Sequence, residues 1–132
     1  MISELKNLTI IRKNGTIPSV PFLAIKEKVL GKNYKLTLVF CSPKESRELN
    51  KKYRNKDYPT NILSFPLEKN EGEIYISLST ARPDAKKFSL TYLGFIHLLF
   101  IHGCLHLKGL EHGSIMESLE DKYLKEFLSE KK

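Results

Sequence analysis

Three histidines in Ile101–Gly113, IHGCLHLKGLEHG, are the residues best placed to do chemistry. His102 and His106 are four apart, so on an α-helix their imidazoles share one face, about a turn apart, within reach of one metal ion. Gly109 stands where such a helix would end, because glycine takes the left-handed C′ conformation without steric penalty. The chain can turn there and return His112 to the same ion. Three neutral imidazoles with one open position are the usual ligand set of a catalytic zinc. A buried helix with incidental histidines is the competing reading. Each buried imidazole would then need its own polar partner, and the neighbouring positions are mostly Leu, Ile, Phe and Gly. The expectation is one Zn2+ per chain on His102, His106 and His112, with nickel the alternative for a nitrogen-rich set. Glu111, beside His112, is expected either to hold an imidazole tautomer by accepting its ring N–H or to be an exposed turn residue.

The same spacing is that of the metzincin peptidase motif, H-E-x-x-H-x-x-G-x-x-H. His102, His106, Gly109 and His112 match it, but Gly103 stands where the peptidase has its glutamate base. That keeps the metal cage, removes the proteolytic base, and implies a hydrolase of another substrate class.

The elements that must position these ligands can be read along the chain. Leu8–Ile11 reads as a strand, Ser19–Leu30 as an amphipathic helix closed by Gly31, and Lys35–Cys41 as a second strand. Ser42-Pro43 with Glu45 is a capping box with proline at the first helical position, opening a basic helix that ends near Arg54. Asn61–Pro66 and Glu73–Ser77 read as strands joined by a polar loop, hence antiparallel, with Pro66 marking an edge or a strand exit. Ser79–Lys87 reads as a short helix or turn broken by Pro83. Ser89 is taken as the cap of the long apolar helix. Ser114–Lys132 reads as a last helix with Ile115, Leu119, Tyr123, Leu124, Phe127 and Leu128 on its apolar side. The expected architecture is α+β: a small mixed sheet packed by helices, with a central apolar metal-bearing helix in a zincin-like arrangement. Residues 1–132 are expected to form a single catalytic domain.

Lysine plus arginine exceed acids by 22 to 15, for a net charge of +7, which favours a polyanionic partner such as RNA. Two cysteines, Cys41 and Cys104, make no disulfide framework and fit a reducing, cytoplasmic setting. The N-terminal segment has no apolar h-region. Leu90–Leu107 carries no Lys, Arg, Asp or Glu. With its histidines and glycines it reads as a helix packed on all sides rather than a membrane span.

Three blocks resemble the YbeY-type rRNA maturation endoribonucleases: HGCLHLKGLEH, LNKKYRNKDYPTNILSFP from Leu49 to Pro66, and GEIYIS from Gly72 to Ser77. The resemblance implies a zinc-dependent endoribonuclease acting on single-stranded RNA. It implies a role in maturation of the 3′ end of 16S rRNA and in ribosome quality control, with the ribosome or its small subunit as partner and no membrane. It also implies that His102, His106 and His112 are the zinc ligands. Arg54 becomes the catalytic, substrate-binding arginine, although residue type alone makes it one of a basic run with Lys51, Lys52 and Lys56. Glu111 and Asn61 depart from the family's aspartates, and His97 has no place in the signature and is expected to be structural. A zinc-stabilised RNA- or ribosome-binding module without catalysis, or another metal-dependent hydrolase, are the alternatives.

Overall fold

Alternation of apolar residues builds the sheet. In β2 (Leu8–Arg12), β3 (Lys35–Phe40) and β5 (Glu71–Ile76), one face carries Leu8, Ile10, Leu36, Leu38, Phe40, Ile74 and Ile76, all buried. The computed structural model describes residues 2–129. Its five strands run in the order β1-β2-β3-β5-β4, with β1 at Ile2–Leu5 and β4 at Ile62–Glu68. β3 lies parallel to both β2 and β5, whereas β1/β2 and β4/β5 are antiparallel. The mixed sheet and the antiparallel β4/β5 pair agree with the sequence reading, and β4 is an edge strand. β1 was not expected. Its sequence, ISEL, is short and mixed, and pairing with β2 through a turn at Asn7, which has φ 59°, makes it a strand.

α1 spans Phe22–Val29, shorter than expected at its start. Pro21 biases Val20 away from helical angles, so the helix begins after it. Phe22 packs its ring against Phe40 and Phe100, with centroids 5.7 and 5.0 Å apart. α2 spans Pro43–Arg54, and the Ser42 side chain caps it by accepting from the Glu45 N–H at 3.1 Å, while the Glu45 carboxylate accepts from Lys13 at 3.0 Å rather than closing the box. α3 covers Leu78–Asp84 and tightens into a 3-10 turn at Ala85–Phe88. Pro83 therefore does not break the helix; it costs one backbone bond in the last turn, where the chain is already leaving α geometry.

α4 (Tyr92–Leu107) is capped by Thr91, whose hydroxyl accepts from the Gly94 N–H at 3.0 Å, and not by Ser89. Ser89 instead ends the preceding 3-10 turn with φ 56°. α4 is apolar nearly all round because β4, β5, α1, α3 and the last helix, α5 (Ser114–Ser129), pack on it. Each fully buried Leu, Ile or Phe it contributes is worth about 1.5–3 kcal/mol. No single described helix is long and apolar enough to cross a membrane. α5 (Ser114–Ser129) turns Met116, Tyr123 and Phe127 into the core. Ile115, placed on the apolar side by the sequence reading, is 70% exposed, and Met116 takes its place. The expected helix residues 130–132 lie outside the described part.

Candidate metal centre

The end of α4 builds the centre. Lys108 is the last residue with helical angles, and Gly109 follows with φ +104°. The Leu110 N–H bonds to the Leu105 carbonyl at 3.1 Å and the Gly109 N–H to the His106 carbonyl at 2.9 Å, which is a Schellman cap. This turn does two things. It carries His112 back against the helix, and it leaves the Leu110 carbonyl 3.1 Å from His106 Nδ1, where it accepts that ring N–H.

All three expected ligands meet. Ring centroids are 4.5 Å apart for His102 and His106, 5.0 Å for His102 and His112, and 4.7 Å for His106 and His112. One nitrogen from each ring lies within 4.8 Å of the others, close enough to hold one metal ion. His102 Nδ1 donates to the Glu120 carboxylate from α5. Both helix histidines thus carry their protons on Nδ1, and both present Nε2 lone pairs, which face each other at 3.1 Å. Two lone pairs at that distance repel unless a cation lies between them. Zinc–nitrogen bonds of about 2.0–2.1 Å at a tetrahedral angle put neighbouring nitrogens roughly 3.3 Å apart, so the donor set fits zinc. Burial, followed by the neighbouring His102, holds the His106 imidazole below its ordinary value. The shift favours the neutral imidazole, the form that ligates.

Glu120 was missed in the sequence, and Glu111 was offered for its role. Glu111 is exposed in the turn, while Glu120 is half-buried against His102. A cue was present: Glu120 shares the stripe Met116, Tyr123 and Phe127, an acid on the inward face of an otherwise apolar helix side. His97 is buried on α4, and its Nδ1 bonds to the Leu93 carbonyl at 2.8 Å, the structural role expected of it. Cys104 is fully buried, and burial pushes its thiol far up. It lies outside the imidazole cluster.

The histidines open into a cleft of about 720 Å3 along β4, whose walls also include Arg54, Thr60, Asn61 and Ser64. Arg54 ends α2 and is exposed. The chain reverses there through Asn55, at φ 56°, and the turn that follows is pinned back on α2. Ser46, buried, accepts from the Thr60 N–H at 2.9 Å, and Asn50 Nδ2 donates to the Tyr58 carbonyl at 2.9 Å. Arg47 pairs with Asp57 at 2.8 Å and lowers that carboxyl below its ordinary range. Asn61 Nδ2 donates to Asp84 at 3.0 Å, which ties the start of β4 to α3.

Gly103 faces the sheet. A Cβ there would sit 3.0 Å from the Cδ1 atoms of Ile62 and Ile74 and 3.1 Å from Ser64 Oγ. The position that carries a base in metzincins is here a close contact between helix and strand, where an added side chain requires Ile62, Ile74 and Ser64 to give way.

A family model for Endoribonuclease YbeY matches residues 13–128. A protein named Endoribonuclease YbeY from Onion yellows phytoplasma is 39% identical over 117 residues, covering 78% of this chain and 77% of that protein. Its namesake from Chlorobium chlorochromatii is 34% identical over 126 residues, covering 84% and 81%. One from Colwellia psychrerythraea is 38% identical over 95 residues; the match covers 67% of this chain and spans only 61% of that relative's length. A solution structure of a Thermotoga maritima protein superposes with a TM-score of 0.66 at 29% identity, covering 92% of this chain and 90% of the other.

Proposed function

The chain belongs to the endoribonuclease YbeY family, and we propose that it is an endoribonuclease that hydrolyses single-stranded RNA, with one Zn2+ held by His102, His106 and His112. The proposal extends to maturation of the 16S rRNA 3′ end and ribosome quality control in the cytoplasm, with the small ribosomal subunit as partner. The observation that carries it is the pair of convergent Nε2 atoms, 3.1 Å apart, in a cleft that Arg54 also lines.

When bound, zinc supplies a Lewis acid next to the phosphate and makes a water more acidic. The chain's own residues do the rest. Glu120 and the Leu110 carbonyl hold the two Nδ1 protons, so both Nε2 atoms stay aimed at the cleft. Arg54 grips the non-bridging phosphate oxygens with its planar fork, where charge grows in the transition state. The excess of basic residues attracts the strand.

A nuclease assay on single-stranded ribosomal RNA fragments tests the reading. Arg54→Lys keeps the charge but loses the fork, and is expected to cost on the order of 10²-fold in rate with melting and metal content unchanged. His106→Ala is expected to lose both metal and activity. Full activity in Arg54→Lys would remove the bidentate role. Full activity in metal-free His106→Ala would remove zinc hydrolysis and leave an RNA-binding module.

A further inference from the structure

Beside the cleft, past Tyr53 and Phe65, lies a second hollow of about 330 Å3. Its walls include Tyr53, Phe65, Tyr75, Leu49 and Glu73. The rings form a ladder: Tyr53 and Phe65 have centroids 5.0 Å apart at 58°, and Phe65 and Tyr75 5.8 Å at 75°. Strand register explains the second pair. Leu63 lies opposite Tyr75 and Phe65 opposite Glu73, on the sheet face turned away from α4, while Tyr53 comes from the last turn of α2.

Packing alone does not account for this ladder. Tyr53 is 58% exposed and nearby Leu67 51%. Tyr53, Phe65 and Pro66 line this hollow and the metal cleft alike, so the two adjoin. Tyr53 directly precedes Arg54, and Lys51, Lys52 and Lys56 surround it in the chain, with Lys52 Nζ 5.2 Å from the ring centroid. An exposed ring with cations beside it in the chain suits single-stranded nucleic acid: the ring takes a base and the cations take phosphates.

We propose that the hollow is a base-binding subsite, in which Tyr53, Phe65 and Tyr75 receive the unpaired base of a nucleotide next to the phosphate gripped by Arg54. It rests on the single-stranded RNA reading and gives that reading a cause, since a base locked in a duplex cannot enter. Glu73 on its wall is an acceptor only, and favours a base with an amino group over uracil.

The test compares binding of a non-cleaved phosphorothioate hexaadenylate with binding of its abasic counterpart, which keeps the phosphates and lacks the bases. The zinc-loaded protein and its Tyr53→Ala and Tyr53→Phe variants are used at low salt, with melting curves as a folding control. Tyr53→Ala should weaken hexaadenylate binding by roughly 5- to 150-fold, the range for one base–aromatic stack. Tyr53→Phe should bind like wild type. On the abasic strand wild type should lose at least as much, and Tyr53→Ala should lose nothing further. Unchanged hexaadenylate binding by Tyr53→Ala overturns the subsite, as does an equal loss on the abasic strand. Wild type that binds neither strand overturns the RNA reading itself, and the subsite with it.

Discussion

Glu120 offers the sharpest perturbation of the metal centre. Its carboxylate accepts the Nδ1–H of His102, fixing the tautomer and the ring orientation. The pair is only partly exposed, 24% for the histidine side chain and 16% for the glutamate, so solvent screens it incompletely. Losing such a partner costs about 10–100-fold in metal affinity. Glu120→Gln keeps an acceptor and loses the charge, and charge-assisted bonds are roughly twice as strong as neutral ones. The glutamine variant should therefore sit near the ~10-fold end, and Glu120→Ala near ~100-fold. Glu111→Gln, in the exposed turn, should stay within the ~0.5 kcal/mol of an ordinary surface change. Competition against a chromophoric zinc chelator near neutral pH reads all three. Wild-type affinity in Glu120→Ala would refute the argument. Total loss of metal in Glu120→Gln, equal to that in His106→Ala, would refute it differently, by making Glu120 itself a ligand.

Two further outcomes follow from the same region. Gly103→Ala places a methyl 3.0 Å from Ile62 and Ile74 and should destabilise the fold by about 1–3 kcal/mol of overpacking, seen as a lower denaturant midpoint; a wild-type midpoint would show that α4 and β4 can separate freely. In the metal-free protein, His106 is held below its ordinary value of 6.5, so on acidification the unfolded chain takes its proton first. Stability should fall as pH drops from about 6.5 toward the folded value, a slope that denaturation curves measure and that His106→Gln should flatten.

What could be read from the chain alone was what depends on neighbours in sequence. The i, i+4 spacing of His102 and His106 and the Gly109 turn dictate the ligand cluster through local backbone geometry, and the Ser42 cap announces α2 for the same reason. What was missed depends on contacts between distant segments. β1 exists because β2 accepts it, α5 is rotated so that Met116 rather than Ile115 meets the core, and Glu120 reaches His102 only because α5 packs on α4.

Gly103 shows how one residue links the two kinds of information. In the sequence it registers as a missing catalytic base. In the fold it is the point where α4 sits directly on β4, with Ile62, Ile74 and Ser64 filling the space a side chain would need. That close contact places the His102–His106 face beside the edge strand, and so forms one wall of a cleft whose other wall carries Arg54 from the end of α2. A glutamate there would start its side chain between helix and strand, against Ile62, Ile74 and Ser64, which would have to shift to admit it. Gly103 therefore both lacks the peptidase base and allows the close helix–strand contact beside which the proposed metal and phosphate sites share one groove.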